Sequence, residues 1–210
     1  MVNFEDNLNF SKKDTLYCLF MDISSIIENY SRGYFLMADD DDTLGWYSTN
    51  RRTVMPLDSR FTYPKSLRRA INQQRFQVRI NQDFLGVCQG CANRESTWIS
   101  PELINIYYQL YQAGWAYSFE TWEQDKLAGG VLGIAIQGAF IGESMFYQIP
   151  EGSKVALVKL VEYLRQRGYL LFDVQMQNPH LERFGSYLIS DRQYQFLLQQ
   201  ALKINCNFVD

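Results

Sequence analysis

Two carboxylates and one carboxamide stand where strands normally place apolar side chains. All three lie between Leu127 and Gln175, in the stretch LAGGVLGIAIQGAFIGESMFYQIPEGSKVALVKLVEYLRQRGYLLFDVQ. Glu143 falls on one face of an extended run with Ile141 and Met145. Asp173 and Gln175 share a face of a later run, because strand side chains alternate with a period of two. Leu170, Phe172, Val174 and Met176 take the opposite face. Polar groups at buried strand positions are costly unless paired or used. A carboxylate there can hold an ammonium or accept a proton, and a carboxamide can orient a nucleophile.

Other constellations are weaker. Gly142–Glu143–Ser144–Met145–Phe146 approaches a nucleophile elbow, but Phe146 replaces the closing glycine. The elbow must also turn sharply into a helix, whereas this run continues as a strand. His180 is the single histidine, and its place after Asn178–Pro179 suits a hydrogen-bonded loop residue. Cys88 and Cys91 are spaced like half a zinc site, with no second pair to complete four ligands. A redox motif would have to open a helix in a βαβ unit, which the surrounding pattern does not suggest. Reduced, partly buried thiols are expected there, with no metal and no cofactor. Gly129, Gly130 and Gly133 miss the dinucleotide fingerprint and instead suit a bulge or a close backbone approach.

The elements that must position these residues follow from periodicity and capping signals. Helices are expected from Ser11, with Asp14 at the capping-box position, and from Asp22 to Gly33. The acidic run Asp39 to Asp42 and Leu44–Gly45 read as a loop. Trp46 to Leu57 reads as an extended ribbon turning near Asn50. Tyr63–Pro64 opens a basic helix reaching about Gln74, and Phe76 to Ile80 alternates as a strand does. Ser100 and Pro101 start a helix with the stripe Leu103, Ile106, Tyr107 and Leu110, closed by Gly114. Trp115–Trp122, Leu127–Gln137 and Ala139–Tyr147 make an antiparallel meander. A helix capped by Ser153 runs to Gly168, the strand Tyr169–Met176 follows, and Ser190 or Asp191 caps a final helix. The fold expected is α+β: an acetyltransferase-like (GNAT-type) C-terminal domain over 86–210, with a smaller α/β N-terminal domain over 1–85.

The chain has 210 residues and a net charge of −3, unevenly spread. Between Arg51 and Arg79 there are eight basic residues against Asp58 alone. A basic segment on an acidic chain suits an anionic partner, nucleic acid being the commonest large one. No stretch reaches the length of a membrane span, and the opening MVNFEDNLNFSKKD lacks the layout of a signal peptide. A cytoplasmic protein without a membrane partner is expected, and a monomer is the simplest state.

A set of short motifs, in order over roughly residues 30 to 190, resembles the leucyl/phenylalanyl-tRNA–protein transferases. The matching pieces include Gly33–Tyr34–Phe35–Leu36–Met37–Ala38, Trp46–Tyr47–Ser48, Ser66–Leu67–Arg68–Arg69, Cys91–Ala92 and Thr97–Trp98–Ile99. Further along come Ser118–Phe119–Glu120–Thr121–Trp122, Gly142–Glu143–Ser144–Met145–Phe146, Asp173–Val174–Gln175 and Asn178–Pro179–His180–Leu181. The chain departs from the family pattern at Thr49, where proline is usual, and at Tyr117, where histidine is common.

The resemblance implies transfer of Leu or Phe, and Met less well, from aminoacyl-tRNA to the N-terminal Arg or Lys of a protein, marking it for the N-degron pathway. It implies that Asp173 and Gln175 carry the catalytic step. In that reading Gln175 orients the amine, Asp173 polarises Gln175, and Glu143 pairs with the acceptor's positive charge. Val131, Met145, Leu160 and Phe172 are expected to line a Leu/Phe pocket, with Ser144 beside it. Trp46 and Trp98 are candidates to stack on the terminal adenosine. Arg51, Arg52, Lys65, Arg68, Arg69 and Arg75 are the expected tRNA phosphate contacts. Two other readings stay open: an N-acetyltransferase using coenzyme A, and a non-catalytic tRNA-binding protein. The helix start Pro150–Glu151–Gly152–Ser153–Lys154 has one glycine and an added carboxylate, a poor cradle for a pyrophosphate.

Overall fold

A computed structural model describes residues 22–39, 41–94 and 97–210; the helix expected from Ser11 lies outside them. The chain begins with α1 (Ile23–Ser31), whose N-terminal amide at Ser25 is capped by Asp22. Next come β1 (Phe35–Ala38) and β2 (Leu44–Tyr47), which pair antiparallel as a two-stranded ribbon. Leu44 and Gly45 therefore belong to a strand rather than to the expected loop. The ribbon expected across Trp46–Leu57 does not form. Its second half, β3 (Arg51–Met55), enters the large sheet between two other strands. Thr53, Val54 and Met55 are buried there, a burial that a two-stranded ribbon cannot give.

The basic helix α2 (Lys65–Asn72) follows, then β4 (Gln77–Ile80) and α3 (Phe84–Ala92). Helix α4 (Pro101–Gln112) starts as its sequence dictates, with the Ser100 hydroxyl accepting from the Leu103 amide at 3.2 Å. The meander is β5 (Ala116–Glu123), β6 (Lys126–Ile136) and β7 (Ala139–Tyr147), all in successive antiparallel register. Helix α5 (Gly152–Gln166) leads to β8 (Leu171–Gln175), the short α6 (Pro179–Glu182), β9 (Tyr187–Ser190) and α7 (Asp191–Ala201). Ser190 caps α7 in a reciprocal capping box with Gln193. At α5 the expected Ser153 cap is absent. Glu151 occupies the N-cap position with φ +76 and makes no side-chain cap, while Ser153 is buried inside the helix start.

Seven strands form one sheet in the order β4-β5-β6-β7-β8-β3-β9. The sheet draws β3 and β4 from before residue 85 and the rest from after it, so no break in the ladder falls at the expected 1–85/86–210 boundary. One face carries α3, α4 and α7 over a core that includes Ile26, Tyr30, Tyr107, Leu132 and Ile141. The other carries α5 and α2 over Val131, Phe140, Leu157, Leu160 and Phe172. Both faces are covered, the arrangement that lets a mixed sheet keep near-continuous apolar runs such as β6. The architecture is α+β with a mixed sheet.

Candidate active site

The site begins where two strands part. β7 and β8 run parallel, paired as Ala139↔Leu171, Phe140↔Phe172 and Ile141↔Asp173. Beyond that rung the pairing ends. β7 carries a bulge against β6, where the register shifts between Leu132 and Gly133 and Glu143 becomes the extra residue. The bulge leaves Glu143 on the side of Ile141 and turns Met145 to the opposite cluster. The face expected to be shared by Ile141, Glu143 and Met145 is therefore split. β8 ends in a bend at Gln175, whose φ is +61. Across the opening gap the Gln175 Nε2 donates to Glu143 Oε1 at 3.4 Å.

Asp173 holds this bend. Its Oδ1 accepts from the Gln175 backbone N–H at 2.8 Å, which fixes a conformation that non-glycine residues adopt only at a cost. The same carboxylate accepts from Arg52 Nε at 2.9 and 3.0 Å, from Arg52 Nη2 at 2.7 Å and from the Tyr194 hydroxyl at 2.8 Å. Asp173 has no exposed surface and Arg52 only 2%. Burial works against the Arg52 charge, but the Asp173 carboxylate more than offsets it and holds its pKa above the ordinary value. Its guanidinium is also sandwiched between the rings of Phe35 and Tyr194, at 4.6 and 4.5 Å. The sequence places Arg52 on the tRNA-binding surface. It is instead the buried partner of Asp173, because β3 lies inside a sheet covered on both faces, next to the strand that carries Asp173.

Glu143 sits in a different environment. The Tyr107 hydroxyl donates to its Oε2 at 2.9 Å. The buried Tyr30 hydroxyl faces the same carboxyl but falls short of hydrogen-bond geometry. Burial pushes the Glu143 pKa up to about 7. Its Tyr and Gln neighbours act in the other direction, and the Asp173 charge adds to the rise. A carboxyl poised there, at a gap between strands and beside a carboxamide, has the character of a proton-transfer group. Tyr107 reads in the sequence as part of an apolar helix stripe, and Tyr30 falls within the helix expected from Asp22 to Gly33. The signal available was that a buried tyrosine needs a partner for its hydroxyl.

The remaining expected residues divide by place. Val131, Leu160 and Phe172 are buried together in the cluster under α5, and Met145 packs at its edge. Phe172 lies against Gly142, next to the gap. Trp46 packs edge-on to the ring of Tyr30 at 5.5 Å. Trp98 is half-buried, its carbonyl accepts from the Ala38 amide, and its Nε1 is buried without a partner. Arg94 lies over the Trp98 ring at 5.9 Å and donates to Ser144 Oγ at 3.1 Å and to the Met145 carbonyl. Ser144 is thus an acceptor for Arg94. Lys65, Arg68 and Arg69 are exposed on α2, held by the buried Leu67. Arg51 is exposed, and Arg75 is ion-paired to Glu123 at 2.6 Å.

Cys88 and Cys91 lie inside α3 with no exposed surface. Burial raises both thiols, Cys91 to about 12, so they stay protonated. His180 packs beside Phe184 at 5.5 Å, and burial lowers its pKa.

A family model described as leucyl/phenylalanyl-tRNA protein transferase matches residues 54–199, and one for the N-terminal domain of the same transferases matches residues 21–50. The gap between the two matches, residues 51–53, falls within β3. A leucyl/phenylalanyl-tRNA–protein transferase of Gloeothece citriformis is 67% identical over 188 residues, which are 90% of this chain and 98% of that one. One from Nostoc punctiforme is 65% identical with the same coverage. Another, from Rubrobacter xylanophilus, is 45% identical over 87% of this chain and 96% of its own. Among solved structures, L-PGS from Bacillus licheniformis is a distant likeness, with a TM-score of 0.44 and 14% identity over 80% of this chain and 66% of that one.

Proposed function

Because the chain belongs to the leucyl/phenylalanyl-tRNA–protein transferase family, we propose that it moves Leu or Phe, and Met less well, from tRNA to the N-terminal Arg or Lys of acceptor proteins. It is an aminoacyltransferase with an aminoacyl-tRNA donor and a protein acceptor. The acceptors would thereby be marked for N-degron degradation, in the cytoplasm, by an enzyme acting as a monomer. The sheet order, with a parallel β7/β8 pair splaying around the site, fits a GNAT-type catalytic fold.

The observation that carries the mechanism is the Glu143–Gln175 pair at the strand divergence. An aminoacyl-tRNA is already an activated ester, so the task is to bring the amine to the carbonyl and manage one proton. The amine nitrogen attacks the ester carbon, the bond to the ribose oxygen breaks, and the amine proton ends on that oxygen. An N-terminal amine titrates near 7.7–8.0. A carboxylate at its ordinary pKa near 4 is mismatched by about 4 units, or roughly 5 kcal/mol. Glu143, at about 7, is mismatched by about one.

Glu143 therefore takes the role of proton acceptor and cation partner. Gln175 orients the amine through its carboxamide. Asp173, whose oxygens are occupied by Arg52, Tyr194 and the Gln175 backbone, acts by positioning Gln175 rather than by polarising its side chain. Val131, Met145, Leu160 and Phe172 supply the apolar wall for the donor side chain. Trp46 and Trp98 flank the adenosine, and Arg51, Lys65, Arg68, Arg69 and Arg75 face the tRNA.

The first turn of α5 speaks against the coenzyme A alternative. A Cβ built on Gly152 would lie 2.4 Å from the Ala128 carbonyl oxygen, and one on Gly129 would lie 2.6 Å from the Ser153 amide nitrogen. The helix start is closed by the β6 backbone where an acetyl-CoA enzyme would open it to a pyrophosphate.

The test is to incubate labelled Leu-tRNA or Phe-tRNA with peptides beginning in Arg, Lys or Ala. Label should pass to the first two only. Binding of charged tRNA without a new peptide bond would instead favour the non-catalytic reading, and turnover with acetyl-CoA the acetyltransferase.

A further inference from the structure

Helix α7 has two working sides. Tyr194 and Leu198 face the core, where Tyr194 holds Asp173. The opposite side, with β9, borders an open groove of about 740 Å³ lined by Arg60, Tyr187, Ile189, Arg192, Phe196 and Leu197. Phe196 lines the groove while 64% exposed, so much of its ring is open to a ligand. The Arg60 guanidinium is stacked 4.5 Å over the Tyr187 ring and clamped by Asp58 at 2.7 Å, so this part of the wall is held in place. Arg192 is exposed and has no carboxylate partner among the described residues. Arg51, also exposed, pairs in the ladder with Ser190 at the groove's end.

We propose that this groove holds a single-stranded or end-fraying segment of the tRNA donor, with a base stacked on Phe196 and a phosphate on Arg192. The inference rests on the function proposed above. Exposed aromatic faces interleaved with guanidinium groups are what sequence-tolerant binding of a nucleic-acid strand requires. Charge decides between the two macromolecular substrates. An acceptor beginning with Arg or Lys carries positive charge at its leading end, which Arg192 on the wall repels, the charge of Arg60 being balanced by Asp58. A phosphodiester strand is attracted by Arg192. With the basic face of α2, the donor would be gripped by two separate elements.

The test compares the unmodified protein with Arg192→Glu, Phe196→Ser and the double variant. Both side chains are exposed, and a carboxylate in the first turn of α7 suits the helix dipole, so the fold tolerates the changes. Each is assayed with full-length Phe-tRNA and with phenylalanyl-adenosine, the minimal ester donor, using an Arg-initiated peptide. The double variant should raise KM for Phe-tRNA on the order of tenfold. Arg192→Glu should flatten the salt dependence by roughly 0.7 in log–log slope, the share of one single-strand phosphate. Transfer from phenylalanyl-adenosine should not change. An unchanged KM and salt slope for Phe-tRNA would overturn the proposal. So would an equal loss on both donors, or a change confined to the peptide KM, which would mark the groove as a polypeptide site. Fluorescence titration of uncharged tRNA onto the same variants needs no turnover. Absence of transfer in the unmodified protein would thus count against the proposed reaction, while the titration still decides the groove.

Discussion

At the scale of single residues, the two carboxylates of the site are held in opposite ways. Asp173 is a fully satisfied anion facing a buried guanidinium. Glu143 is a buried acid whose pKa has risen to about 7. Because the folded pKa of Glu143 lies above its ordinary value of 4.5, the contribution to stability is fully present below about pH 4.5 and is lost as pH rises through about 7. Urea denaturation should show roughly 2–3 kcal/mol less stability at pH 7.5 than at pH 4.5 from this group, and Glu143→Gln should remove that slope. For Asp173 the expectation differs. Asp173→Asn leaves the Arg52 charge uncompensated in the interior and should cost about 3–5 kcal/mol, while Arg52→Met combined with Asp173→Leu should recover much of it. Loss of activity in Asp173→Asn alone therefore reports on folding as well as chemistry. Gln175→Ala isolates the chemistry: it should lower kcat steeply while the denaturation midpoint moves little, since Asp173 grips the backbone of this residue rather than its side chain.

At the scale of elements, the site depends on two strands that begin as a parallel pair and then separate. The bulge at Glu143 and the bend at Gln175 are what convert buried strand positions into a facing pair. Gly129 of β6 and Gly152 of α5 serve the same construction by letting α5 start directly on the strand. Gly152→Ala places a Cβ 2.4 Å from the Ala128 carbonyl and must push helix and strand apart. A cost of about 1–3 kcal/mol is expected, seen as a fall in Tm of roughly 2–4 °C per kcal/mol for a chain of this size. Most of these elements are readable from the sequence: the helices after Asp22, Ser100 and Ser190 start where their caps stand, and the three-stranded meander is where its turns put it. The bulge is not readable, since an extra residue in a ladder leaves no periodic mark on a run already interrupted by Gly142. The Glu151 N-cap escapes for a related reason. A left-handed residue stands where Ser153 looks the better cap.

At the scale of the whole molecule, charge and topology set how a large anionic donor reaches a site between strands. Lys65, Arg68 and Arg69 form an exposed face on α2, so transfer from tRNA should weaken as salt rises. Replacing Arg68 and Arg69 by Glu should raise KM for charged tRNA and reduce the salt slope by roughly one for each phosphate no longer neutralised. Stopped-time transfer assays across a salt series check this. The sequence by itself determined the class of most elements, the polar positions Glu143, Asp173 and Gln175, the basic helix and the family motifs, because periodicity, caps and local charge are properties of neighbouring residues. Only the tertiary structure decided that Arg52 turns inward to Asp173 across 121 positions of chain. It alone brought Tyr30 and Tyr107 to Glu143, and it alone moved β3 from a local ribbon into the large sheet. Those outcomes depend on which distant strands and helices become neighbours. The same alternating pattern that announces a strand does not say beside which strand it will lie, or which of its two faces will meet a partner for its charge.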